Sequence, residues 1–268
     1  MWQDMQRAVA YIEAHLTAPL LIADIAKQAH CSSFHFQRAF SLLTGMTVAS
    51  YIRRRRLTKA AEDLQRTTTS VLTIALTYQY ETPEAFTKAF KQQHKLSPRA
   101  ARQPAVSLTM YNPLTIHVEL KGVEPMNYRI EQQPAFTVIG NSYQLADNTT
   151  IPKLWEATKD EMWLPHNNGE LQGMLGVCLP QASGMTYVIG VASTNPNFTH
   201  ITIPASTWAV FEVIGAMPHA MTAAWERIYK EWLPQSNYTL ANTAEFERYT
   251  NDDPTSVTCY SEIWLPVL

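Results

Sequence analysis

Along the first hundred residues the apolar positions recur at three- and four-residue steps, the period of helices that bury one face. Met5, Val9, Ile12 and Leu16 mark a helix over about 3–16 that stops before Pro19. Shorter patterns predict helices over 20–28 and 33–43. Gly45 ends the latter, and Thr47 opens a long helix to about 65 with Val48, Tyr51, Ile52, Leu57, Ala60, Ala61 and Leu64 inward. At 1.5 Å per residue that helix is roughly 28 Å long. From 108 to 121 the period shortens to two, with Leu114, Ile116, Val118 and Leu120 on one side and Gly122 closing the run, which predicts a strand-like connector.

Two stretches fifty residues apart nearly repeat: Phe36-Gln37-Arg38-Ala39-Phe40 and Phe86-Thr87-Lys88-Ala89-Phe90. Ile25-Ala26 and Ile74-Ala75 precede them, each followed by a bend, at His30-Cys31 and at 78–81. Ser32, Ser33 and Thr82 are candidate N-caps, and Pro83 suits a first helical position, where its missing N–H costs nothing. Each copy therefore reads as a helix-turn-helix, and the long helix sets the two about one turn of duplex DNA apart. If Phe36 and Phe40 face a core, Gln37 and Arg38 point elsewhere and can reach base edges. In the second copy Glu84, Thr87 and Lys88 take the exposed side. Paired phenylalanines four apart are ordinarily core, and Arg53 to Arg56 in a row ordinarily form a solvated face, so the case rests on the duplication.

Charge strengthens that case. The net charge of the 268 residues is −2, yet residues 1–105 carry 14 Lys+Arg against 7 Asp+Glu, for +7, leaving −9 for 106–268. One half attracts phosphates and the other repels them. With 46% hydrophobic residues the chain can form one or two packed domains. No run approaches the roughly 20 apolar residues that span a bilayer, and the first residues lack a signal design, so a cytoplasmic protein without a membrane partner is expected. Cys31, Cys178 and Cys259 are widely spaced and read as buried thiols, with no disulfide framework. Phosphate-loop, zinc-protease and nucleophile-elbow patterns are absent, so neither catalytic residues, metal nor cofactor is expected.

Residues 1–105 resemble the DNA-binding domain of the AraC/XylS transcription regulators, within their Rob, MarA and SoxS group. Ile25-Ala26, residues 34–40, Thr44-Gly45, Tyr51-Ile52-Arg53, Ala61, Leu64, residues 86–91 and Ser97-Pro98 carry the likeness. It implies that Phe34, Gln37 and Arg38, then Pro83, Glu84, Thr87 and Lys88, occupy DNA-facing positions. It also implies RNA polymerase as a partner. Gln79 and Lys95 stand where this family usually has glycine.

In the acidic half a second repeat appears. Residues 134–140 lead to Trp155 and Trp163, and residues 206–215 lead to Trp225 and Trp232. Each copy reads as strand, glycine turn, helix bounded by tryptophans, then strands, which predicts two α+β halves about a pseudo-twofold axis. On the last strand Tyr260, Glu262 and Trp264 share a face, a suitable box for a cation. Residues 124–268, joined to the first domain by 106–123, resemble the GyrI-like effector-binding domain through Met126 to Glu131, Trp155, residues 187–191, Ile203-Pro204-Ala205, Phe211-Glu212, Trp225, Trp232, residues 246–249 and 263–267. The resemblance implies a lipophilic, often cationic effector in an aromatic cleft around a glutamate, for which Glu247 is the matching position. Trp155, Tyr187, Phe211, Trp225 and Tyr249 are the aromatics assigned to it, with Glu262 and Trp264 added from the strand pattern. The fold expected is an all-α domain with two helix-turn-helix motifs followed by an α+β domain, in a ligand-controlled transcription regulator of multidrug or stress response. Two alternatives stay open: a small-molecule hydrolase using Glu247 or Glu262, or an architectural DNA-binding protein without a ligand. Core roles for the tryptophans, and pairing of the glutamates with Arg248 or Lys230, are the plainer reading of the same residues.

Overall fold

A computed structural model describes residues 2–103, 106–115, 126–146, 150–158, 162–181, 184–250 and 253–268, with Trp2 through its backbone alone. The chain forms helices α1 (Trp2–Ala14), α2 (Ile22–Gln28), α3 (Ser33–Thr44), α4 (Val48–Arg66), α5 (Val71–Thr77) and α6 (Pro83–His94). Strands β1 (Tyr128–Gln133) and β2 (Phe136–Leu145) follow, then helix α7 (Ile151–Ala157), strands β3 (Met174–Pro180), β4 (Met185–Ala192), β5 (Ile201–Ile203) and β6 (Ser206–Ile214), helix α8 (His219–Arg227), and strands β7 (Glu245–Tyr249) and β8 (Tyr260–Val267). Two compact units result: Met1–His30 with Thr44–Val118, and Cys31–Leu43 with Glu119–Leu268. Charge and motif placed the division near Ala105, with α3 in the basic half; the structure groups α3 with the second unit.

In the first unit α4 is the central beam. Leu57, Ala60, Ala61 and Leu64 on one side of it meet Ile74, Ala75, Phe86 and Phe90 from α5 and α6. Hydroxyls cap the helices where expected: Thr47 accepts from the Ser50 amide and Thr82 from the Ala85 amide, and Pro83 takes the first position of α6. The ends of the repeats need left-handed backbone. Gly45 supplies it at φ 69°, but His30, Gln79 and Lys95 adopt φ of 52°, 67° and 63° without being glycine. The turns that substitution by Gln79 and Lys95 put in question are therefore kept, at a conformational cost of roughly 1 kcal/mol each.

The arginine run, ordinarily a solvated face, mostly holds this unit together. Arg55 is buried and grips Glu13 with Nε at 2.8 Å and Nη2 at 2.7 Å. Arg56 ties down the turn after α1 through the carbonyls of Leu16 (2.8 Å) and Ala18 (2.7 Å), Arg54 lies 4.8 Å from the Tyr111 ring centre, and Arg53 is exposed. Residues 106–115 form neither helix nor strand, a correction to the strand-like reading of this part of the connector. They are tied down by side chains: the Tyr111 amide donates to Thr58 Oγ1 at 3.1 Å, and the Leu114 amide to the Tyr51 hydroxyl at 3.1 Å. Ile116, Val118, Leu120 and Gly122, which completed the alternation, lie outside the described residues. Among the described residues no helix is long and apolar enough to cross a membrane.

The second unit is built on one antiparallel eight-stranded sheet in the order β1-β6-β8-β7-β3-β4-β2-β5. The order displays the expected twofold: β6-β8-β7 mirrors β2-β4-β3, and each half lends its short leading strand to the edge of the other. The centre of the sheet is the β3–β7 pair, where Gly176 faces Glu247. One side carries Val138, Val177, Val188, Trp208, Phe246 and Trp264 as a closed core. Gly140 is no turn, as the repeat had suggested. It sits inside β2 opposite Gly190, where a Cβ would run into the Gly190 Cα at 2.7 Å. Gly215, its counterpart, does turn the chain, at φ 137°.

Candidate functional site

Side chains of β7 alternate about the central pair, so Glu245, Glu247 and Tyr249 project to the side opposite the closed core. Glu247 stands among polar hydrogens from aromatic residues. Trp225 of α8 donates through Nε1 to one carboxylate oxygen at 2.6 Å, and the Tyr249 hydroxyl donates to the other at 2.7 Å. Trp155 of α7 meets the Tyr249 ring edge-on at 4.7 Å between centres and donates Nε1–H to the Tyr187 hydroxyl at 2.8 Å. Gly176 makes this possible: a Cβ there would collide with the Tyr187 hydroxyl and come within 3.0 Å of Trp155. At the pseudo-twofold, then, one half contributes a carboxylate and the other the space for two aromatic side chains. Burial, reinforced by the negative charge of Glu247, holds the Tyr187 and Tyr249 phenols well above their usual titration range.

Helix α3 completes the site. Ser32 caps it by accepting from the His35 amide at 3.2 Å. Phe34 packs with Ile139, Met174, Cys178, Met185 and Tyr187. One turn later the Arg38 guanidinium lies over Trp225, 3.3 Å from the ring centre, and donates to Glu245 and, at 3.3 Å, to Glu247. Arg38 is 8% exposed. Burial opposes its charge, but Glu245, Cys178 and Glu247 outweigh that and raise its affinity for the proton further. Glu245 is fully buried and also receives His35 Nε2 at 3.2 Å. Burial alone would lift its carboxyl; the charge of Arg38 and the bond from His35 bring it below the ordinary value.

These positions revise several expectations. Phe34 and Arg38, expected to face DNA, are buried here, because two carboxylates and an indole face offer Arg38 more than water does. Gln37 is partly exposed. On α6, Glu84 and Lys88 are exposed on the side away from the buried Phe86 and Phe90, whereas Pro83 and Thr87 are partly exposed and lie nearer that buried stripe. Trp155, Tyr187, Trp225 and Tyr249 do converge on Glu247. Glu262 and Trp264 do not: they are buried on the other side of the sheet, where Glu262 pairs with Arg248 at 2.9 Å and Arg129 at 3.0 Å, the plainer reading of that carboxylate. Lys230, the other candidate partner, pairs instead with Glu226 at 3.0 Å. Phe211 spends its ring on Trp232 (4.8 Å) and Tyr128 (5.6 Å). Glu245 went unnoticed in the sequence, although two glutamates spaced by two on a short strand signal a shared face. Among the described residues no three His, Cys, Asp or Glu side chains are grouped to hold a metal ion. Cys178 and Cys259 are buried as expected, whereas Cys31 is partly exposed.

Paired helix-turn-helix motifs together with a twofold sheet that bears an aromatic, acidic cluster define a DNA-binding protein with an effector-binding domain. Residues 25–104 match the helix-turn-helix domain model, and residues 129–267, over half of the chain, match the integron-associated effector binding protein model. The activator AarP of Providencia stuartii is 40% identical over 108 residues, 40% of this chain and 78% of its own. The right origin-binding protein of Escherichia coli is 40% identical over 93 residues, 35% of this chain but 32% of its own, so that relative is matched over about a third of its length. Among solved structures, that of SAV2435 bound to tetraphenylphosphonium is similar at 29% identity and a TM-score of 0.50, over 53% of this chain and 94% of the other. The chain belongs to the AraC-type DNA-binding transcription regulators and, through its C-terminal part, to the integron-associated effector binding protein family.

Proposed function

We propose that the effector is a lipophilic monocation held against Glu247 by Trp155, Trp225, Tyr187 and Tyr249, and that it controls duplex DNA binding by the helix-turn-helix pair. One observation carries this reading: Glu247 already holds a cation, the Arg38 guanidinium, on the face of Trp225. Charge pairing combined with cation–π attraction of roughly 0.5–2 kcal/mol per ring suits a delocalised cation with aryl groups better than a compact, strongly hydrated one. The tetraphenylphosphonium bound to SAV2435 has that chemistry and is the natural probe. The segment division is 1–105 for DNA, 106–123 as connector and 124–268 for the effector. On this reading Pro83, Glu84, Thr87 and Lys88 face the duplex, as do Phe34, Gln37 and Arg38 when α3 is free. RNA polymerase in the cytoplasm is the partner the family relationship supports, and the chain is a regulator without catalytic turnover.

Titration of the full chain with tetraphenylphosphonium, followed by tryptophan fluorescence, tests the effector. Saturable quenching is expected, lost in Glu247→Gln. Equal affinity in the variant overturns the assignment of Glu247.

A further inference from the structure

Phe34 and Arg38 lie one helical turn apart on one side of α3, with the guanidinium carbon 5.9 Å from the Phe34 ring centre. Together they present an aryl group and a delocalised cation, the two features proposed for the effector. They occupy the place such a ligand needs: Phe34 fills the apolar end beside Met174 and Tyr187, and Arg38 takes the carboxylate and the indole face. Two open depressions of this unit lie elsewhere, one beside Met126–Arg129 with Glu212 and one beside Gln132–Pro134 with Ala205–Thr207.

We infer that Phe34 and Arg38 are a built-in occupant of the effector cleft, so that a lipophilic cation and helix α3 compete for Glu247 and Trp225 and binding of one releases the other. The inference rests on the effector reading of the same site. Its energetics are balanced for exchange. A buried ion pair replaced by another well-placed cation changes little in net free energy, whereas removal of either charge alone is costly. A cleft closed by its own helix binds ligand with an affinity reduced by the fraction of time it is open. Because α3 is also the helix expected to read bases, the side chain that would meet the major groove is held until the effector takes its place. Binding of effector and of DNA by this helix is then favourably coupled, and by linkage the coupling is reciprocal.

The test uses the full chain, tetraphenylphosphonium and two readouts. Arg38→Ala is expected to bind the cation roughly tenfold more tightly than wild type, the cleft having lost its competitor. In the wild-type chain, amides of residues 33–43 are expected to exchange hydrogen faster once the cation is added, a measurement that needs no variant to fold. Equal or weaker binding by folded Arg38→Ala, or unchanged or slower exchange in 33–43 with the cation bound, overturns the competition while leaving the site assignment standing. Absence of binding by both wild type and Arg38→Ala overturns the site assignment itself, and the competition with it.

Discussion

The indole of Trp225 serves Arg38 and Glu247 at once: its face lies 3.3 Å from the guanidinium carbon, and its N–H reaches the Glu247 carboxylate at 2.6 Å. These two contacts separate under substitution. Trp225→Phe keeps an aromatic face and removes the hydrogen bond, at an expected cost of about 1–2 kcal/mol because a mostly buried carboxylate loses a donor. Trp225→Leu removes the face and leaves a cavity, at about 3 kcal/mol. Urea unfolding followed by far-UV circular dichroism should rank them in that order, and equal midpoints would show that the aromatic face adds nothing to the fold.

Acid stability should depend on Glu245. In the unfolded chain its carboxyl titrates near 4.5; in the fold burial opposes ionisation, but Arg38 and His35 hold the value lower. Folding thus favours the ionised form. The stabilisation it brings is complete above pH 4.5 and is lost as pH falls through the folded value. Glu245→Gln should be less stable at pH 7 by about 3 kcal/mol, since Arg38 is left with a weaker partner. The gap to wild type should narrow below pH 4.5. A gap constant from pH 7 to pH 3 would mean that folding leaves the titration of the Glu245 carboxyl unshifted.

Much of this was legible in the sequence, for identifiable reasons. Helical periodicity located α1 to α4 to within about two residues because each buries one stripe, and the Trp155 and Trp225 repeats announced the twofold sheet. Gly140 misled because a glycine that ends a strand and one that lets two strands approach look alike until the partner, Gly190, is known. Alternation placed Glu262 and Trp264 on one face correctly, but said nothing of Arg129, which comes from a strand more than a hundred residues earlier. For Arg38, helical geometry showed that it leaves the Phe36 and Phe40 side; it does not show what waits on the other.

Lys95 closes α6 in the left-handed conformation at φ 63° and donates through Nζ to the Gln92 carbonyl at 3.0 Å. An exposed bond of that kind adds little, whereas the left-handed backbone costs a residue with a Cβ roughly 1 kcal/mol. Glycine removes that cost but loses more entropy on folding. We expect Lys95→Gly to stabilise the chain by about 0.5 kcal/mol and Lys95→Ala to destabilise it slightly. A calorimetric melt should show the glycine variant unfolding a degree or more above the alanine variant; the reverse order would show that the ammonium matters more than the backbone.

The basic residues of the first unit divide into those that build it and those free to meet a phosphate, and DNA binding should follow that division. Arg55 spends its guanidinium on Glu13 and the Tyr111 carbonyl, whereas Lys88 is exposed on α6 opposite Phe86 and Phe90. Each phosphate neutralised by a side chain adds about 0.9 to the slope of log affinity against log salt. Lys88→Ala should lower that slope by about one, with stability changed by less than about 0.5 kcal/mol, as for surface substitutions generally. Arg55→Ala, which strands the partly buried Glu13, should cost about 3 kcal/mol of stability yet leave the slope of the folded protein unchanged. Fluorescence anisotropy with a labelled duplex between 50 and 200 mM salt separates the two effects. A lowered slope for Arg55→Ala, with Lys88→Ala unaffected, would move the DNA-facing surface from α6 to α4.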